Sequence, residues 1–277
     1  MNTACKGNRA NARGFTLVEL AVVFSIVALL LGSLMYTLSA QVEQRNFEDT
    51  RRRIEQAREL VLSFAIVNGR LPCPARANSA GVEVRNAVTG ECKDGANVED
   101  YYGGNPGGVV GGLLPAATIG FQPVDGAGFA LDSWQNRIRY AVAKSVAGGT
   151  CAGAFTNPHF VNAANMKGNG IACQPGDLLV CRSATGIPVP PATTCGGAAN
   201  QIMTTGLVVA IVFSTGPNGA TTGGTGADEA VNLNGDPIFV SHAPTPAGAA
   251  NGEFDDQFTW ITVGELYGRL IAAGQLP

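Results

Sequence analysis

The sequence predicts an α+β fold: a long N-terminal α-helix, half of it transmembrane, packed against a C-terminal antiparallel β-sheet domain with long disulfide-stapled loops. Three observations predict it. The stretch from Phe15 to Ala40 is apolar, with Glu19 its single charge and no proline. Behind it, apolar residues recur at three and four positions, the spacing of one helix face. Past Pro74 the apolar runs are short and separated by Gly, Asn and Pro clusters, the pattern of strands and turns.

The apolar stretch exceeds the roughly 20 residues needed to cross a hydrocarbon core. Lys6, Arg9 and Arg13 precede it and no basic residue follows until Arg45, so the short N-terminus is expected in the cytoplasm and the bulk of the chain across the membrane. An ordinary secretory signal has a short apolar core that ends at a cleavage site. Here the stretch runs straight on into Val42, Phe47, Ile54, Ala57, Val61, Phe64 and Ala65, one face of a continuing helix. Charges fill the opposite face, with Glu48–Arg52 and Asp49–Arg53 spaced for i,i+4 pairing. Asn68-Gly69 supplies a stop, reinforced by Pro72 and Pro74. The organisation predicted is a leader at 1–14, a transmembrane and assembly half of the helix at 15–40, an amphipathic half at 41–68, and a globular periplasmic domain at 69–277.

Glu19 is out of place in such a segment. A carboxylate in lipid costs a few kcal/mol and marks function. The segment holds no positive partner, but an amino terminus newly created at Phe15 of a neighbouring molecule could supply one.

Arg13-Gly14-Phe15-Thr16-Leu17-Val18-Glu19-Leu20 resembles the cleavage and methylation motif of type IV prepilins and type II secretion pseudopilins. The resemblance implies that a membrane peptidase cuts between Gly14 and Phe15 and methylates the new amino group of Phe15, and that Glu19 guides assembly. It also implies the partners: other pilin or pseudopilin subunits, the prepilin peptidase, an inner-membrane assembly platform, and membrane lipid before assembly. The location implied is the bacterial inner membrane, single-pass, and then a filament in the periplasm or at the cell surface. No catalysis by the chain and no required cofactor are expected. Many type IV pilins carry a mid-helix proline; this chain has Tyr36 there, with Gly32-Ser33 as the local weak point. The chain beyond Pro74 is longer than a major pseudopilin needs, which implies a minor or tip subunit, or a decorated pilin whose outer face binds a partner. A pilus and a secretion pseudopilus both fit. The rival is a singly anchored periplasmic binding or enzymatic domain for which the helix is only a tether.

Composition agrees with an exported, folded domain. The chain is 45% hydrophobic, with 37 Gly and 15 Pro, loop-rich but too apolar and too weakly charged for disorder. Loss of the leader removes three of 18 basic residues against 21 acidic ones, a balance that disfavours a phosphate backbone as partner. Cys5 leaves with the leader; Cys73, Cys92, Cys151, Cys173, Cys181 and Cys195 remain. An even set scattered through an exported domain reads as a disulfide framework. Zinc competes, but no C-x-x-C occurs and only His159 and His242 offer imidazole. Sequence proximity favours Cys73–Cys92, Cys151–Cys173 and Cys181–Cys195.

Within the globular part, Gly126–Leu131, Arg137–Ser145, Leu207–Thr215, Asp236–Val240 and Gln257–Val263 read as strands. Apolar on both faces, Leu207–Phe213 is the expected central one. Residues 264–273 are expected to close with a helix that uses Leu266 and Leu270. Residues 75–125 and 147–200 read as glycine-rich excursions in which disulfides replace regular structure.

Three fragments resemble the major pseudopilin of type II secretion. Asp132–Tyr140 is similar to its Asp-Pro-Trp-Gly-Asn-Pro-Tyr segment, Phe213–Gly219 to a Ser-x-Gly-Ala-Asp-Gly turn, and Phe254–Trp260 to its Asp-Asp-Ile-x-x-Trp element. The last two frame a calcium site in that family, which implies a structural calcium on Asp255 and Asp256. Asn218 stands where the family has an acidic residue, and Asp228, Glu229 or Asp236 of the inserted segment could contribute. Otherwise Asp255-Asp256 is an exposed turn.

Other chemistries find little support. The Gly-rich segments Gly103–Gly112 and Gly216–Gly226 lack the lysine of a phosphate loop. His159 and His242 read as surface residues without a nucleophile motif. Arg51-Arg52-Arg53, flanked by Glu48, Asp49 and Glu55, reads as a solvated face or as inter-subunit ion pairs and not a nucleic-acid site.

Overall fold

A computed structural model describes residues 16–144, 146–147, 158–219 and 226–276, without the side chains of 33–40 and 146–147. The chain divides into two compact units, Met1–Arg45 and Asn46–Pro277. Helix α1 (Leu17–Asn68) runs through both.

In the first unit α1 opens with a capping box. Thr16 Oγ1 accepts from the Glu19 N–H at 3.3 Å, and Glu19 Oε2 accepts from the Thr16 N–H and hydroxyl, both at 2.9 Å. Two helix-end donors are satisfied reciprocally, as the Thr-x-x-Glu spacing allows. The apolar side chains that follow are exposed, Leu17 at 86% and Leu29 at 76%. Among the described residues no helix is long and apolar enough to cross a membrane.

In the second unit α1 buries Thr50, Ile54, Ala57, Val61, Leu62 and Ala65, so the buried stripe starts about two turns beyond Val42, where its spacing placed it. Val42 stays exposed. Of the two predicted ion pairs, Arg52 reaches Glu48 at 3.9 Å and Asp49 at 3.2 Å. Arg53 does not pair with Asp49; it donates to the carbonyls of Leu131 and Asp132, which ties α1 to a loop. The helix ends at the predicted stop. Asn68 Nδ2 donates to the Phe64 carbonyl at 2.9 Å, and Gly69, at φ +66°, turns its N–H to Ala65 O at 2.8 Å. Such a left-handed cap favours glycine.

Among the described residues the strands are β1 (Arg139–Val142), β2 (Val146–Ala147), β3 (Gln174–Pro175), β4 (Leu179–Cys181), β5 (Gln201–Met203), β6 (Val208–Ser214), β7 (Ile238–Val240) and β8 (Gln257–Thr262). Further helices are α2 (Ala116–Ile119), α3 (Ala163–Asn169), α4 (Ala227–Asn232) and α5 (Val263–Ala272). The main sheet is antiparallel in the order β1-β6-β8, with Tyr140 opposite Val212 and Ile211 opposite Trp260. Every residue of β6 is buried, as its two-sided apolar pattern predicts. The outer edge of β1 is covered by the preceding loop, through Tyr140 N–H to Gly112 O at 2.8 Å and Val142 N–H to Tyr101 O at 2.9 Å. Helix α5 is capped by Thr262 Oγ1 on the Glu265 N–H and buries Leu266, Tyr267 and Leu270.

Two expectations are corrected. Gly126–Leu131 is not a strand: Asp125 Oδ1 accepts from the N–H groups of Ala127 and Phe129, both at 2.9 Å, and curls the segment into a turn. The glycine-rich 147–200 segment is not free of regular structure. It supplies β3, β4 and α3, and β4 joins a separate sheet ordered β5-β4-β7, in which β4 and β7 are parallel. This accessory sheet has its own small core of Leu179, Cys181, Ala192, Cys195, Ile238, Val240 and Phe254. Disulfides join Cys73 to Cys92 (Cα–Cα 5.3 Å) and Cys181 to Cys195 (5.7 Å). Cys173 is also disulfide-bonded; Cys151, its expected partner, lies outside the described residues.

Candidate processing motif and metal centre

The predicted cleavage point, Gly14 and Phe15, lies outside the described residues. Glu19 lies within them, in the first turn of α1, its carboxylate held by Thr16. The same residue that the motif singles out for assembly therefore also closes the N-terminal turn of its own helix.

The second site forms where the main sheet meets the accessory one. The chain leaves β6 through Ser214–Asn218, returns through α4, and enters β8 through Asp255-Asp256. Glu229 of α4, Asp255 and Asp256 are all buried and offer carboxylate oxygens that lie within 4.8 Å of one another. Glu229 is fixed by the Gly226 N–H at 3.2 Å, the Asp255 N–H at 3.0 Å, and Asn218 Nδ2, which reaches both its oxygens at 3.0 and 3.1 Å. Asp256 Oδ2 accepts from Asn232 Nδ2 at 2.7 Å. Both oxygens of Asp255, and Oδ1 of Asp256, are buried with no hydrogen-bond partner. Gly216, at φ +60°, makes the close approach possible: a Cβ there would come 2.0 Å from Asp255 Oδ1.

The surroundings brace this cluster. Ser214 Oγ donates to Asp132 Oδ2 at 2.6 Å and Asn136 Nδ2 to the Gly216 carbonyl at 2.6 Å. The Asp132–Tyr140, Phe213–Gly219 and Phe254–Trp260 fragments thus meet at one place. Asn232 does double duty, since it also closes β7 by accepting from the Val240 N–H at 2.7 Å and donating to Val240 O at 3.1 Å.

Electrostatically the cluster is incomplete. Burial, and then the neighbouring Glu229, push the Asp255 carboxyl up to about 7. Burial pushes Asp256 well above the carboxylate range, against the pull of the Asn232 amide. Buried carboxylates without protons or a counter-charge are costly. An all-oxygen set suits a hard cation such as calcium, and the absence of nitrogen or sulfur donors disfavours zinc. The residues present therefore fit the calcium that the resemblance implies.

Of the residues weighed for this site, Asp255 and Asp256 are buried instead of forming an exposed turn. Asn218 lies beside them but faces Glu229 through its amide nitrogen. Asp228 is engaged by Ala184 N–H, Asn251 and His242, and Asp236 by Ala192 N–H and Asn234. His242 remains partly exposed, stacked on Phe254. His159, read as a surface residue, is buried: its Nε2 sits 3.1 Å from the Tyr267 hydroxyl, and burial lowers its imidazole to about 4. Nothing in its proline-containing segment signals that burial; it comes from α5 packing across it.

Residues 9–35 match the family described as the prokaryotic N-terminal methylation motif, the signature of type IV prepilins and pseudopilins. The match supports a type IV pilin-like protein, processed by prepilin peptidase and assembled with other pilin subunits from a membrane-anchored state. No curated protein and no solved structure matches the chain.

Proposed function

We propose that the chain is a structural subunit, minor or at the tip, of a type IV pilus or type II secretion filament. The observation that carries the reading is the methylation motif at 9–35 set on a helix whose apolar side chains, Leu17 through Leu31, are exposed. Exposed apolar surface of that extent marks an interaction site or a membrane segment. Before assembly, lipid covers it in a single-pass arrangement through the Phe15–Ala40 stretch. After assembly the helices of neighbouring subunits replace lipid, and Glu19 exchanges Thr16 for the methylated amine of a neighbour's Phe15. The chain performs no chemistry on a substrate.

The minor or tip position is supported by the accessory sheet, which the helix-and-sheet framework does not require. The experiment is mass spectrometry of the chain from its native membrane, with imaging of filaments beside a Glu19→Ala variant. A mature N-terminus at methylated Phe15, with filament incorporation lost in the variant, is the expected result. An intact leader, with Glu19→Ala tolerated, would establish the tether reading.

We further infer that Glu229, Asp255 and Asp256 hold a structural calcium, with their three buried carboxylates as its ligands. The unpartnered oxygens of Asp255 and Asp256 support this most directly. The ion would supply the missing positive charge and bind α4 of the inserted segment to the start of β8. Native mass spectrometry and the melting shift on chelation test it; no mass increment and no shift would remove the ion from the account.

A further inference from the structure

We propose that Asn232 couples the acidic site to the accessory sheet, so that withdrawing the cation from Glu229, Asp255 and Asp256 loosens β4, β5 and β7 and leaves β1-β6-β8 in place. This rests on the calcium reading given above.

Asn232 is buried at the end of α4, and its one amide serves both partners. Nδ2 donates to Asp256 Oδ2 at 2.7 Å and to the Val240 carbonyl at 3.1 Å, while Oδ1 accepts from the Val240 N–H at 2.7 Å. Strand β7 is bonded to β4 through the Pro237 carbonyl, which accepts from the Leu179 N–H, and through the Ser241 N–H, which donates to the Cys181 carbonyl. Backbone groups alternate in direction along a strand, so those of Val240 point away from β4. There the side chain of Asn232 stands in for a further strand and satisfies both groups at once.

The segments that carry the carboxylates also hold the accessory sheet. In α4, Glu229 faces the cation site. Asp228, next to it, accepts from the Ala184 N–H and from Asn251 Nδ2 and lies 3.0 Å from His242 Nε2. Phe254, immediately before Asp255, belongs to the core of the accessory sheet.

Three buried carboxylates within 4.8 Å of one another repel when no cation sits among them, and burial leaves that repulsion poorly screened. Separation of Asp256 from α4 relieves it. The same movement takes away the acceptor that orients the Asn232 amide, and with it the grip on Val240. The accessory strands resist weakly: each has three residues, and the pairing of β4 with β5 slips in register between Val180 and Cys181. The main sheet resists better. Strands β6 and β8 pair from Val208–Thr262 to Ser214–Gln257, and Phe213 stacks on Phe258 at 4.8 Å. Opening is therefore local to the weaker sheet.

Hydrogen exchange on the full chain, in calcium and in chelator, tests the coupling, with native mass spectrometry reporting the bound ion on the same samples. Chelation is expected to speed exchange of the Leu179 and Ser241 amides, which hold β4 to β7, at least tenfold, while Ile211 and Val212 of β6 change less than twofold. In Asn232→Ala, which still gains the mass of the ion, Leu179 and Ser241 are expected to exchange fast in both conditions. In Asp255→Asn, where ion and repulsion are both lost, they are expected to exchange slowly in both. A bound ion whose removal leaves Leu179 and Ser241 unchanged overturns the coupling and leaves the calcium reading standing. So does equal acceleration in β6, the mark of global opening. A calcium response kept in Asn232→Ala overturns the role of Asn232. If that variant does not fold, the contrast between the unsubstituted chain and Asp255→Asn decides the coupling. No bound ion in any sample overturns the calcium reading, and the coupling with it.

Discussion

The beginning of α1 and the junction before β8 are both in the wrong solvent, in opposite senses. At the first, apolar side chains from Leu17 to Leu31 are exposed. At the second, the carboxylates of Glu229, Asp255 and Asp256 are buried together, and both oxygens of Asp255 and one of Asp256 have no hydrogen-bond partner. A folded chain tolerates neither for its own stability, because exposed apolar area and buried charge both cost free energy. Each becomes reasonable once something outside the chain is added: lipid or neighbouring helices for the first, an ion for the second. The two incomplete regions differ in what completes them, and that difference predicts which perturbation each will feel.

The largest effect falls on the first region. Glu19→Ala should abolish filament incorporation while the melting temperature of the folded unit stays unchanged, as measured by filament yield and by circular dichroism on the same preparations. A loss of fold would break the comparison, because it would tie the two regions together.

Next in size is calcium withdrawal. At an ion concentration of 100 times the dissociation constant, binding stabilises the fold by about 2.7 kcal/mol, a shift of several degrees that chelation should reverse. Glu229→Gln and Asp255→Asn sharpen the point. Asp255→Asn should raise the melting temperature of the calcium-free chain by removing repulsion. Glu229→Gln should not, because both oxygens of Glu229 accept hydrogen bonds that an amide nitrogen cannot. Each should erase most of the calcium shift. Filament incorporation by either variant in excess calcium should suffer far less than with Glu19→Ala.

The pH dependence has a fixed sign. The Asp255 carboxyl sits at about 7 in the fold against an ordinary 3.8, so between those values the folded chain binds more protons than the unfolded one. Calcium-free stability is then full below about pH 4 and falls as pH rises toward 7. Calcium competes with those protons, so its stabilisation should grow over the same window. Melting scans at several pH values, with ion and with chelator, check both slopes; a calcium shift larger at pH 5 than at pH 8 would contradict the site. Smallest of all, Arg52→Ala should cost well under 1 kcal/mol, since both its partners are exposed. Arg53→Ala, which frees the carbonyls of Leu131 and Asp132, should cost more.

Much of the fold was legible because its signals are local. The apolar stretch, the stripe from Ile54 to Ala65 and the Asn68-Gly69 stop each act within a few residues, and the helix follows them. Strand β6 was readable because it is apolar on both faces. Of the accessory sheet only β7 was read, within Asp236–Val240; β4 and β5 were not, because they have three residues each, too short for any period to register among prolines and glycines. Its stability comes from Cys181–Cys195 and from parallel pairing with β7, both long-range. The acidic site was half legible. Asp255-Asp256 stood out by adjacency, whereas Glu229 is selected only by the path of α4, and Asn218, adjacent in pattern, turns its amide toward Glu229.

One contact bears on crowding. Strand β8 is the outer strand of the main sheet, and Arg58 of α1 donates through Nε to the Trp260 carbonyl at 3.0 Å while its guanidinium also meets Glu265. An open strand edge is a template for another chain's backbone. With a charged side chain seated on that carbonyl, copies stored side by side are discouraged from zipping sheet to sheet. Arg58 thus takes up one acceptor on that edge that an incoming strand would need.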